Sequence, residues 1–398
     1  MPDLELTPEC RLVFRAADLR ASPSEVGALA GAVREWDRVL MLAEREVATS
    51  TLWRALQRAA ETSGGSAVPE AAVAYLAKSA MVSDFRMQYL SSRLQRTVAA
   101  LATARVPVIL LKGAAVGAMR DATFRERPMT DVDILVDRGD STRAREIVVA
   151  SGWPETTDPV LLELLKDQHH LPHFVDPQMP GIRLELHVAL LPDDHSFAFD
   201  EADIWRDARP APMPFAGARI PSPHHSLIHA CIHFAWQHTL QFGSWRTFRL
   251  IGGLIASGAV DWAAFIVQAR AARAASACHW TLRLAQRLSG LSIPPEAIDA
   301  LAPPNPAFIA NALERCFVAG IAPGELPMSP SSQLSRLLWR TALRPKWSGH
   351  QHPGRADPSR RWERALGTIS TETHTARFAR HLADYRTWWT FLSRTLLR

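Results

Sequence analysis

The chain has 398 residues, 47% of them apolar and 21% charged, with a formal net charge of +5. That is enough chain for two or three domains with real cores, and the composition is that of an ordinary globular protein rather than a disordered or fibrous one. Mild basicity suits an anionic ligand but does not by itself argue for nucleic acid, which is not expected as a partner.

The N-terminus, Met-Pro-Asp-Leu-Glu, lacks the basic-then-apolar pattern of a secretory leader, and no apolar run reaches the roughly 18 residues of a membrane span. A cytoplasmic location is the expectation. Cys10, Cys231, Cys278 and Cys316 are far apart, form no Cys-x-x-Cys and read as isolated thiols.

Residues 1–20 are loosely patterned. From Glu25 to Ala60 the sequence reads as helices, with Val33, Trp36, Val39, Leu40 and Leu42 near helical spacing. Thr62-Ser-Gly-Gly-Ser66 is a break, and a helix over 71–103 carries Met87, Leu90, Leu94 and Val98 on one stripe. These elements make an N-terminal helical module over 1–104.

An α/β core is expected over 105–221. Val106–Leu111 is an apolar strand that runs into Lys112-Gly113, where glycine lets the backbone approach an anion and a helix start presents its N–H groups. Helices are expected near 114–121 and 141–150.

Between them lies Arg127-Pro-Met-Thr-Asp131-Val-Asp133-Ile-Leu-Val136. Apolar residues at 132, 134 and 136 alternate with the two carboxylates, the period of a strand. That period puts Asp131 and Asp133 on one face, roughly 6–7 Å apart at Cα. Two neighbouring acids repel, and a shared divalent cation is the cheapest way to keep both ionised.

A third strand over 183–190 turns Leu184, Leu186 and Val188 one way and Glu185 and His187 the other; a weaker strand lies near 218–220. An Asp-x-Asp alone is more commonly a solvated strand face. The ordered set of strand, Lys-Gly, helix, Arg, Asp-x-Asp and Glu strand is far more specific, and it suits metal-assisted phosphoryl transfer.

On Leu110-Leu111-Lys112-Gly113, Arg127 with Asp131-Val-Asp133, Ala150-Ser-Gly152-Trp153 and Leu184-Glu185-Leu-His187, the chain resembles the nucleotidyltransferase family of bacterial proteins within the polymerase-beta-like superfamily. The likeness extends weakly into Ser226–His233 and spans roughly residues 35–300. The superfamily usually carries Gly-Ser where this chain has Gly113-Ala114, which removes a hydroxyl that could touch phosphate.

The resemblance implies an α+β fold, a small mixed sheet flanked by helical modules. It also implies transfer of an NMP from a nucleoside triphosphate to an acceptor, which could be a small molecule, a peptide or a protein, with release of pyrophosphate. Asp131, Asp133 and Glu185 would be the catalytic and metal-binding carboxylates for Mg²⁺ or Mn²⁺. Lys112, Gly113, Arg127 and His187 would meet the nucleotide. A His-rich loop occurs in the family where this chain has His169, His170 and His173, so contact with acceptor or phosphate is implied there. The alternative is a catalytically silent nucleotide-binding or scaffold protein of the same fold, which the Ala114 substitution allows.

A C-terminal helical module is expected over 222–398, opening on Ser222-Pro223 as a cap. His225, His229, His233 and His238 recur at spacings of four, four and five, so the first three share a helix face. They could be metal ligands, cleft lining or plain packed histidines. Lys346–Arg361 reads as a polar loop. A last helix over 378–397 carries Trp388, Trp389 and several arginines, suiting packing on the helical module or, less well, a membrane surface.

Overall fold

The computed structural model describes residues 6–63, 68–120, 123–125, 127–156, 169–191, 197–238, 240, 243–303, 314, 317 and 318. The polar stretch 346–361 and the helix expected over 378–397 lie outside the described residues.

Residues 8–20 are more ordered than their pattern suggests. Pro8–Arg15 is a helix, capped by Thr7, whose Oγ1 accepts from the Cys10 N–H at 3.3 Å. Leu12, Val13 and Phe14 on it are fully buried. A cap with proline in the first turn was the readable signal; the apolar residues are too few to show a period.

Helices follow at Pro23–Ala32, Trp36–Arg45, Thr49–Ser63 and Glu70–Thr103. The helix Thr49–Ser63 ends inside the break expected over 62–66.

Among the described residues six strands form one mixed sheet: β1 Ile109–Leu110, β2 Asp131–Leu135, β3 Phe174–Val175, β4 Arg183–His187, β5 Arg209–Pro210 and β6 Arg219–Ile220. Their order is β3-β4-β2-β1-β6-β5. β2 runs parallel to β4 and antiparallel to β1. The α+β class is as expected. β1, β2, β4 and β6 fall within the strands expected over 106–111, 131–136, 183–190 and near 218–220, while β3 and β5 are two-residue edge strands too short to carry a pattern.

The two faces of the sheet serve different purposes. Val132, Ile134, Val136, Leu184 and Leu186 pack with Met87, Leu90, Leu94 and Val98 of the long helix and with Ala144 and Val148 of the helix Ser141–Ala150. Each such side chain contributes about 1.5–3 kcal/mol on burial. The opposite face carries the carboxylates. Around it one apolar cluster joins Cys10–Leu76 of the N-terminal helices to Leu227–Val318 of the C-terminal ones. Trp245 Nε1 donates to the Val13 carbonyl at 3.0 Å within that cluster.

A buried ion pair locks the β3 edge. Arg93 Nε donates to Asp176 Oδ2 at 2.9 Å, and its two terminal nitrogens donate to the Ser151 and Gly152 carbonyls. Asp176 also accepts from the N–H groups of Gln178 and Met179, closing the turn between β3 and β4. The guanidinium lies 4.6 Å from the centre of the Trp153 ring.

After the sheet come helices at Pro223–Ile232, Ser244–Ala256, Trp262–Ala271, Ala275–Ser289 and Pro295–Ala300. The first is capped by Ser222, as expected, and continues into a π-helical turn, His233–Gln237. Among the described residues, no helix is long and apolar enough to cross a membrane.

Candidate active site

The parallel pairing of β2 with β4 sets Asp133 directly opposite Glu185 and Leu135 opposite His187. Period 2 then places Asp131, Asp133, Glu185 and His187 on one face, because the partner face of each strand is buried on the long helix. Asp133 and Glu185 are therefore neighbours, while Asp131 lies on the same face two residues along β2 and outside the group of donor atoms that converge.

Asp133 is almost fully buried, and its Oδ1 accepts from two groups: Lys112 Nζ at 2.7 Å and His187 Nε2 at 2.9 Å. Glu185 lies between two histidines, with Oε1 3.2 Å from His173 Nε2 and Oε2 3.6 Å from His187 Nε2. Asp131 is the more open acid; Thr130 donates to it at 3.2 Å and Arg246 Nη1 stands 3.9 Å away.

Charge balance follows from this packing. Burial alone would raise the Asp133 pKa, but Lys112 and His187 outweigh it and hold the carboxyl well below its usual range. Burial would likewise lower Lys112, and Asp133, Glu185 and Asp131 together lift it above its ordinary value. His187 is raised despite its burial because it bonds both acids. Glu185 is lowered: burial and the Asp133 charge oppose ionisation, but the His187 bond and the Lys112 and His187 charges together outweigh them.

Lys112 sits at a positive φ of 44° where β1 gives way to the helix Lys112–Arg120. Gly113 follows. A Cβ there would fall 1.8 Å from Arg127 Nη1 and 2.3 Å from Met129 Sδ. The glycine thus makes room for Arg127 to lie against the start of the helix. The Arg127 Nε donates to the Arg246 carbonyl at 3.4 Å, and burial together with the Arg246 charge pulls its pKa down to about 10.

Arg246 was not singled out from the sequence. It lies in the helix Ser244–Ala256, and no local spacing marks it.

The histidine helix is not remote from this centre. Burial, with Lys112 and His187 nearby, pushes His229 down to about 3, and burial with Lys112 takes His238 down to about 4. The Nε2 of His229 and the Nδ1 atoms of His169, His173 and His187 are buried without a hydrogen-bond partner among the described residues. His225 is bonded to the Ser222 hydroxyl at 3.0 Å and set against Phe199, whose ring also packs on His229.

One donor atom each from Asp133, Glu185 and His187 fall within 4.8 Å of one another. The two carboxylates of that set suit a hard divalent cation, while His187 Nε2 is engaged with Asp133 Oδ1. Buried carboxylates, a cation-rich rim and a helix start on one sheet face are the parts used by enzymes that move phosphoryl groups.

The family comparison agrees with that class. The model for an uncharacterised nucleotidyltransferase matches residues 32–290, and the chain belongs to that family. The match contains Lys112, Gly113, Arg127, Asp131, Asp133, Glu185, His187 and the histidine helix. None of the curated proteins matches the chain, and none of the solved structures does.

Proposed function

We propose that this chain is a Mg²⁺- or Mn²⁺-dependent nucleotidyltransferase of the polymerase-beta-like superfamily. It moves an NMP from a nucleoside triphosphate to an acceptor, and pyrophosphate leaves. The observation that carries this reading is the register of β2 and β4, which sets Asp133 opposite Glu185 with Asp131 on the same face beside Lys112-Gly113.

In this reading Asp131 and Asp133 hold the cation that accompanies the triphosphate, and Glu185 completes the set that faces the acceptor. A bound divalent cation neutralises phosphate charge and lowers the pKa of an attacking hydroxyl. Lys112 and His187 fix the orientation of the Asp133 carboxylate through its Oδ1, leaving Oδ2 to face the ligand. Arg127 and Arg246, on the rim beside Asp131, screen the phosphates, which suits the planar guanidinium. His229 and His238, neutral at physiological pH, line the covering side, where the acceptor approaches. The acceptor is a small molecule, peptide or protein that offers a nucleophile.

Two measurements test this. An NTP with Mg²⁺ should raise the melting temperature, because a ligand specific to the folded state stabilises it by mass action, and EDTA should remove most of the gain. Incubation of each α-labelled NTP with the protein and a cell lysate should then transfer label. A melting curve unmoved by all four NTPs at millimolar concentration would refute the reading.

A further inference from the structure

A second group of side chains with metal-ligand chemistry, His170 and His173, lies beside Glu185, whose Oε1 faces His173 while its Oε2 faces His187. Three backbone facts put it there. His170 bridges His187 in antiparallel fashion, so their side chains share a face. Phe174 pairs with Leu184 on the buried face, so the preceding His173 points to the opposite one, with Glu185. The 169–171 segment is held against the end of β4 by Leu171 N–H to the Leu186 carbonyl at 2.9 Å and Val188 N–H to the His169 carbonyl at 2.9 Å.

The side chains are arranged as ligands. His170 Nδ1 lies 3.0 Å from the Leu171 carbonyl, so the N–H sits on Nδ1 and the Nε2 lone pair is free. A backbone carbonyl on the non-ligating nitrogen is the support that metal-bound imidazoles commonly have. The His170 and His173 rings are stacked, 5.3 Å between centroids and 24° apart in plane. One donor atom each from His170, His173 and Glu185 lie within 4.8 Å of one another. The His173 Nε2 to Glu185 Oε1 distance is 3.2 Å. Two ligands at 2.0–2.1 Å from a tetrahedral zinc ion stand about 3.3 Å apart.

We propose that His170, His173 and Glu185 bind a dication of the zinc and cobalt type, in a site separate from the Asp131–Asp133 position. Two imidazoles and one carboxylate select such an ion, whereas Mg²⁺ prefers an all-oxygen shell. Three protein ligands leave an open position for water or a substrate group. Glu185 links this site to the other one, because its second oxygen faces His187 and, through it, Asp133. The inference goes beyond the nucleotidyl-transfer reading and shares only Glu185 with it.

The test needs no nucleotide. Metal-stripped wild-type protein is titrated with Co²⁺ and followed by its visible d–d absorption. One equivalent should bind with the intensity of a low-coordinate site, be displaced by Zn²⁺ and resist millimolar Mg²⁺. His170→Ala and His173→Ala should each weaken binding by at least about 10-fold, since even outer-shell changes cost about 10–100-fold. Circular dichroism checks that both variants are folded. In the unaltered protein, Zn²⁺ should shift the imidazole ¹⁵N resonances of two histidines, which keeps the proposal testable if the variants fail to fold. Asp131→Asn should bind Co²⁺ normally while losing the NTP–Mg²⁺ melting response, so failure of one reading is distinguishable from failure of the other. Absence of the cobalt signal in wild type overturns the proposal. So does its survival in both histidine variants, or its loss in His229→Ala instead.

Discussion

Lys112→Met removes the ammonium that lies 2.7 Å from Asp133 Oδ1 and leaves a carboxylate that is 3% exposed. Stripping one partner from a buried pair costs about 3–5 kcal/mol. His187 Nε2 remains on the same oxygen at 2.9 Å, so the lower end applies, about 3 kcal/mol. Urea unfolding in EDTA reads this directly. Mg²⁺ should return more stability to the variant than to wild type, since a cation at the carboxylates takes over from the ammonium. The pH dependence has a definite sign. The folded-state pKa of Asp133 is depressed, so its stabilising contribution is present above the unfolded value of about 3.9 and is lost as pH falls through the folded one. Without Lys112 that depression shrinks. The stability gap between variant and wild type is therefore full at neutral pH and closes in strong acid. A variant within about 0.5 kcal/mol of wild type at neutral pH, the range of an ordinary surface substitution, would refute Lys112 as the counter-ion of Asp133.

The three carboxylates should separate by assay. Asp131→Asn and Asp133→Asn are expected to weaken NTP–Mg²⁺ affinity in calorimetry and abolish label transfer. Glu185→Gln should cost roughly 10²-fold in single-turnover rate, about 2.7 kcal/mol, with affinity little changed, because its contribution is made in the transition state; near wild-type turnover would show it is misplaced. Gly113→Ala drives a Cβ into Arg127 and Met129 and should destabilise by about 1–3 kcal/mol while reducing the NTP-linked melting shift. An unchanged melting curve would mean that Arg127 does not occupy that space. Asp176→Ala leaves Arg93 buried and unpaired and should cost about 3–5 kcal/mol in chemical denaturation, and a loss under 1 kcal/mol would argue against the ion pair as the lock of the β3 edge.

Much of the carboxylate centre was legible because a strand writes itself into the sequence with period 2. Val132, Ile134 and Val136 against Asp131 and Asp133 disclose both the strand and its polar face. The pairing of Asp133 with Glu185 is a long-range register that no local pattern records. The edge strands β3 and β5 owe their existence to their partners, and Arg246 reaches Asp131 only through the packing of a helix. The helix face shared by His225, His229 and His233 was readable. Which of them meet Lys112 and Asp133 depends on how that helix lies over the sheet. The π turn at His233–Gln237 left no propensity signal.

The cluster that joins the first helix to the C-terminal ones has a consequence for biosynthesis. Val13 and Trp245, which share a hydrogen bond, are 232 residues apart in the chain. At about 5–20 residues per second, the ribosome takes roughly 12–46 s to travel between them. Over that interval Leu12, Val13 and Phe14 are outside the exit tunnel with no completed core to enter. A fragment ending ahead of Trp245 should therefore collect in inclusion bodies even though it contains Lys112, Asp131, Asp133 and Glu185.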